Sequence, residues 1–175
     1  QRVGEEVTAV GGQAFVVADI EAARTKLGDL VVEAKAQSVV CWQHELLSRV
    51  AVHDVLAKNQ TQWLDAERLQ NLPPAEQRQQ LLACDVGITS CEAAIAETGT
   101  LMMWSRPGRG RLASLIAPVH IAIVERRQIV PDLIDAFNQL RENGSEAMPS
   151  NVTFITGPSK TGDIELQLTT GVHGP

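Results

Sequence analysis

Apolar residues along this chain fall into two rhythms, short unbroken runs and three-and-four spacings, and the two alternate. Ala14-Phe15-Val16-Val17-Ala18 reads as a buried strand. From Asp19, which suits a helix N-cap, the positions Ile20, Ala23, Leu27, Leu30, Val31 and Ala34 recur on one helical face and predict an amphipathic helix to about Ala36. Ser38 to Trp42 is a second strand, Arg49 to Lys58 a second helix, and Thr61 to Leu64 a third, weaker strand. Such βαβ alternation predicts an α/β fold: a single domain with a mostly parallel sheet flanked by helices.

Further on, Pro73-Pro74 opens a polar helix to about Ala83, because proline is tolerated in a first helical turn. Ala93 to Glu97 and Thr100 to Trp104 read as two strands around a tight Thr98-Gly99 turn, and Val119 to Val124 as another strand. Pro131 begins a helix with Leu133, Ile134, Phe137 and Leu140 on one face, which Asn143-Gly144 can end. A last hydrophobic run, Val152 to Ile155, delivers a Gly157-Pro158 turn. With no internal repeat or long linker, residues 1–175 read as one domain. Its first residue is Gln1 rather than methionine, so a few residues are expected to precede it.

Composition narrows the class of function. At 175 residues, 44% hydrophobic and 21% charged, the chain is an ordinary globular one. A net charge of -6 and a pI near 5.2 argue against nucleic acid, whose phosphates need a basic face. No apolar run approaches the roughly 20 residues that span a bilayer, and no signal peptide is visible, so a cytoplasmic location is expected. Cys41, Cys84 and Cys91 are odd in number and unspaced for a cluster or zinc site; buried reduced thiols are expected, with no metal.

Candidate chemistry concentrates in four places. The loop Gly157-Pro158-Ser159-Lys160-Thr161 follows a strand like a phosphate-binding loop but lacks the G-x-x-x-x-G-K-[ST] spacing. It could still take a small anion if Ser159, Thr161 and backbone amides stood at a helix N-terminus with Lys160 as a point charge. Against this, Asp163 and Glu165 would cap the same helix themselves. Glu97, beside the Thr98-Gly99 turn, is either a partly desolvated acid/base or a turn glutamate in water. Arg106, Arg109 and Arg111 on a glycine-rich loop could clamp an anion or lie at a solvated hairpin tip. His120 reads as a strand histidine bonded in the core, while His173, between small residues, leaves room for a ligand. No G-x-S-x-G elbow or metal-spaced histidine pair supports a hydrolase or metalloenzyme.

Gly87-Ile88-Thr89, Ala94 to Thr100, Arg111 to Leu115, Pro118 to Ile121, Gly157 to Glu165 and Gly171 to Pro175, in that order, resemble the LUD family over about residues 85–175. The resemblance implies an α/β fold of the NagB/RpiA/CoA-transferase-like kind, related in architecture to 5-formyltetrahydrofolate cyclo-ligase. It also implies an accessory subunit in the oxidation of L-lactate to pyruvate, working with iron-sulfur partner proteins that hold the clusters while this chain carries no cofactor. Such a subunit would bind partners, a small anionic ligand or another copy of itself. The fold relatives suggest an alternative, a transferase or ligase with catalytic residues drawn from Glu97, His120 and His173. In that reading Thr98, Gly99, Arg109, Gly157, Ser159, Lys160 and Thr161 would hold an anionic substrate. Two departures stand out: the family continues past Gly171-Val172-His173-Gly174-Pro175 into a further strand, and Gly162 stands where alanine is usual.

Overall fold

A computed structural model describes residues 2–64, 69, 71–142, 148–162, 168–170 and 174–175. Two compact units are formed, and the chain alternates between them. Gln1–Val16, Ser90–Arg111 and Val124–Pro158 make the first; Val17–Thr89, Leu112–Ile123 and Ser159–Pro175 make the second.

The second unit is the βαβ part of the sequence pattern. Its helices are α2 (Ile20–Glu33), α3 (Glu45–Arg49), α4 (Val52–Lys58) and α5 (Pro74–Leu82). Its main sheet holds β1 (Ser38–Cys41), β2 (Gln62–Leu64), β3 (Val86–Thr89) and β6 (Val119–Ala122) in the order β2-β1-β3-β6, every pair parallel. The α/β class with a mostly parallel sheet is therefore as the pattern predicts. Asp19 caps α2 as expected, its carboxylate accepting from the Ala22 amide at 2.8 Å, and Leu27 and Val31 are the residues that α2 buries. Central strands buried on both faces need apolar residues throughout, and Val39, Val86 and Ile88 are fully buried. Asp85 secures the entry to the sheet by accepting from the amides of Gln37 and Ser38 at 2.8 and 2.9 Å. A short antiparallel ribbon of β9 (Lys160–Gly162) and β10 (Leu168–Thr170) also belongs to this unit.

The first unit holds α1 (Arg2–Ala9), α6 (Leu133–Glu142) and a mixed sheet of β4 (Ala93–Ile95), β5 (Thr100–Ser105), β7 (Ile129–Val130) and β8 (Asn151–Thr156). The strand order is β7-β4-β5-β8: β4 runs parallel to β7 and antiparallel to β5, and β5 antiparallel to β8. The β4–β5 hairpin is the one its sequence predicts. Ala93, Ile95, Met102, Trp104, Val130 and Ala136 form the core, with Leu140 and Val152 packed against it.

Several local expectations are corrected. Ala14–Ala18 is neither strand nor buried: the segment is exposed, Val16 by 90%, and among the described residues it joins none of the sheets. The helix expected from Arg49 to Lys58 is broken at Ala51, whose backbone is left-handed at φ 57°. In α6 the buried residue is Ala136, while Leu133, Ile134 and Phe137 are exposed; the small side chain lets the helix lie close to the sheet. The expected helix end at Asn143-Gly144 lies outside the described residues. Finally, β3 escapes the periodicity reading altogether, being four residues long with a glycine inside.

Candidate functional site

In the first unit the β4–β5 turn and the end of β8 come together. Thr100 stands opposite Thr156 in the antiparallel ladder, and their hydroxyls lie 2.7 Å apart. Thr98, at the turn, places its own hydroxyl 2.7 Å from that of Thr100, so three hydroxyls form a chain. Each hydroxyl carries one hydrogen, so a chain of three joined by two bonds has one donor left over. Thr100 in the middle is buried, whereas Thr98 and Thr156 are exposed, which favours a free donor at one end or the other.

Glycines flank this chain. Gly99 and Gly157 have φ of 65° and 66°, the left-handed region that glycine enters without a steric penalty. Helix α1 and the residue just after it lie against them: a β-carbon at Gly99 would sit 2.6 Å from the Val7 nitrogen, and one at Gly157 would sit 2.7 Å from the Val10 carbonyl oxygen. Thr98, Gly99 and Gly157 are thus brought to one place, although the sequence reading drew them from two separate loops. Glu97 is on the same turn and exposed, the glutamate-in-water arrangement rather than the desolvated one.

Arg109 serves a different neighbourhood of this unit. Arg106-Pro107-Gly108-Arg109 is a tight turn, with Gly108 at φ 72° and the two arginines exchanging backbone hydrogen bonds of 3.3 and 2.9 Å. Arg109 pairs with the Glu92 carboxylate at 3.2 Å, and Glu92 also accepts from the Trp104 amide at 2.8 Å. Burial raises the Glu92 pKa, while the Trp104 amide and the Arg109 charge pull it down. Arg106 lies 5.1 Å from the Trp104 ring centre, within cation–π range.

His120, in the second unit, is half-buried and shares a 2.8 Å hydrogen bond between its Nε2 and the Thr89 hydroxyl. Burial lowers its pKa from 6.5 to about 4, so the ring is neutral at ordinary pH. Its cross-strand neighbour is Gly87, which has no side chain to crowd the ring. Ser159 donates its amide to the Pro175 carbonyl at 2.6 Å, and Lys160 is exposed at the start of β9. Because Lys160 and Thr161 lie on an antiparallel strand, the helix N-terminus imagined for them is replaced by a β ribbon. His173 lies outside the described residues, as do Asp163 and Glu165.

Pattern reading passed over Ser90, Glu92 and Gln128. Gln128 donates to the Ser90 hydroxyl at 3.0 Å and to the Cys91 carbonyl, and accepts from the Glu125 amide at 2.7 Å. It thereby ties the fully buried Ser90 to the short 3-10 turn Arg126–Gln128. The spacing Glu125-x-x-Gln128 is that of a capping box, a signal available in the sequence. All three cysteines are buried; burial pushes Cys41 up to about 12 and raises Cys84 and Cys91. Among the described residues, no helix is long and apolar enough to cross a membrane.

Several known proteins similar to this chain share one name. Lactate utilization protein C of Halalkalibacterium halodurans is 32% identical over 152 residues, covering 85% of this chain and 64% of that protein. The protein of the same name from Macrococcus caseolyticus is 34% identical over 78% of this chain and 57% of its own length. The one from Bacillus subtilis is 41% identical over 61% of this chain and 42% of its own length. The chain therefore spans less than two-thirds of the length of these relatives. A crystal structure of a DUF162 family protein from Deinococcus radiodurans is similar at 22% identity and a TM-score of 0.47, over 91% of this chain and 94% of that one. The LUD domain profile matches residues 1–175, the full span, and the protein accordingly belongs to the LUD domain family.

Proposed function

We propose that this protein is an accessory subunit of an iron-sulfur-dependent system that oxidises L-lactate to pyruvate in the cytoplasm, itself binding a small carboxylate and partner proteins. The observation that carries this reading is the likeness to proteins named lactate utilization protein C, which reaches 85% of the chain. Thr98, Gly99 and Gly157 supply the ligand site: the exposed Thr98 hydroxyl, at one end of a three-hydroxyl chain with one donor to spare, suits a carboxylate oxygen beside the two glycine turns. The clusters belong to the partners in this scheme. Support comes from the spacing of Cys41, Cys84 and Cys91, which are odd in number and form no C-x-x-C pair of the kind that holds a cluster.

Reconstitution tests the role directly. Lactate-dependent electron transfer by the assembled iron-sulfur proteins should fall when this chain is left out and return when it is added back. An unchanged rate without it would overturn the proposal, as would a stoichiometric iron-sulfur cluster or flavin in the purified chain.

A further inference from the structure

The sheet of the first unit ends at β7 on one side and at β8 on the other. β7 is two residues long, and the outer strands of the other four-stranded sheet, β2 and β6, have three and four. β8 has six, all paired with β5, and among the described residues its other edge meets no strand. A long free edge offers a row of backbone donors and acceptors to a further strand, and proteins commonly blunt such edges with charges, proline, bulges or brevity. Asn151-Val152-Thr153-Phe154-Ile155-Thr156 contains no charge and no proline, and its register with β5 advances one residue at a time without a bulge. It is instead rich in the β-branched and aromatic residues that favour strands.

Apolar surface continues from this edge onto α6. The rings of Phe137 and Phe154 lie 5.7 Å apart, centre to centre, so the Phe137 flank of the helix is the one beside β8. Ile134, three residues before Phe137, shares that flank. Ile134 is 71% exposed, and Phe137 and Phe154 stay exposed despite touching each other. The core of the unit does not need them, because Ala136 is the α6 residue that it buries.

From this edge and its apolar flank we infer that β8 pairs antiparallel with the β8 strand of a second copy of this chain, joining two sheets into one, with Ile134, Phe137 and Phe154 packed across the joint. A second copy fits for a geometric reason. Two identical strands laid antiparallel are related by a two-fold axis, so each edge presents its groups where the other requires them and one closed contact satisfies both. An axis normal to the sheet also keeps each face on its own side, which sets both α6 helices on the same face with their apolar flanks towards each other. The three side chains are uncharged, so a patch that meets its own copy brings no repulsion between them.

Light scattering and sedimentation of the full chain, with hydrogen exchange of β8, test the pairing. The wild type should have twice the 18.9 kDa mass of the chain, and the β8 amides that do not bond to β5 should gain protection as the dimer forms. Ile134→Lys changes a largely exposed side chain, and Phe154→Lys puts a charge at the edge strand; each should weaken the dimer at least about tenfold. Val32→Lys, at an exposed position of α2, should leave it unchanged. Because Ile134 packs in no core, the Ile134→Lys result decides the matter even if Phe154→Lys fails to fold. A monomeric wild type would overturn the proposal, whether the edge is bare or is taken by a segment of a longer chain. A dimer that Ile134→Lys leaves intact, or one that Val32→Lys breaks equally, would overturn it too.

Discussion

The carbonyl of Ala113 fills the place of the side chain that Gly87 lacks: a β-carbon there would fall 1.6 Å from that oxygen and 2.8 Å from its carbon. β3 is a central strand, between β1 and β6, and the 3-10 turn Arg111–Ser114 brings its backbone down onto the strand at this one residue. Gly87→Ala forces backbone against backbone, where no rotamer change relieves the overlap. The expected cost is about 3 kcal/mol or more, read as a lowered urea midpoint with an unchanged denaturant slope. A variant as stable as the wild type would mean the turn is free to move.

His120 makes stability depend on pH in a defined window. Its folded pKa of about 4 lies below the ordinary 6.5, so between these values an unfolded chain binds a proton that the folded chain refuses. Stability is therefore unaffected by this group above pH 6.5 and declines as pH falls from there toward 4, by at most about 1.4 kcal/mol per pH unit. His120→Gln keeps a partner for the Thr89 hydroxyl and removes the titration. Urea unfolding at pH 7 and pH 5 should show a smaller loss in the variant than in the wild type; equal losses would assign the pH dependence elsewhere.

Glu92 holds the Trp104 amide and Arg109 at the cost of its own desolvation. Glu92→Ala leaves that amide without its acceptor and should destabilise by about 1–3 kcal/mol, whereas Glu92→Gln, whose amide oxygen can still accept, should cost less. With its folded pKa raised above 4.5, the carboxyl favours the folded state most at low pH and loses that contribution as pH rises through the raised value. Thermal melting at pH 7 orders the two variants. Equal losses would make the Arg109 charge pair, which both variants remove, the dominant contact rather than the amide bond.

Thr100 is the buried middle of the hydroxyl chain, between Thr98 and Thr156. Thr100→Val keeps the shape but deletes both bonds, leaving two exposed hydroxyls that water can serve. A loss of about 1 kcal/mol is expected, because the abandoned partners are not themselves buried. A loss of several kcal/mol, measured by urea unfolding, would show that the end hydroxyls are cut off from water.

Much of the second unit is legible in the sequence. Asp19, the three-and-four spacing through Leu27 and Val31, and the Pro73-Pro74 helix start all reappear where periodicity puts them. The Thr98-Gly99 hairpin does too. Failures have particular causes. Phe15, Val16 and Val17 look like a strand, but a strand is made by its place in a ladder, and among the described residues no sheet takes this segment in. Lys160-Thr161 looks like a helix start because hydroxyls and acids cluster there, yet the register with Leu168–Thr170 makes it a ribbon.

Local sequence, then, determined the α/β class, the longer helices and the β4–β5 hairpin, and membership of a family, because side-chain periodicity and capping act over a few residues of chain. Tertiary structure alone decided that Thr98 and Thr156 share one hydroxyl chain, that α1 rests on Gly99 and Val10 on Gly157, and that Ala113 occupies the space at Gly87. Those are contacts between segments far apart in the chain, made by backbone atoms and single hydroxyls. Such groups recur in every residue or every threonine, so their partners are chosen by packing and leave no periodic trace in the sequence.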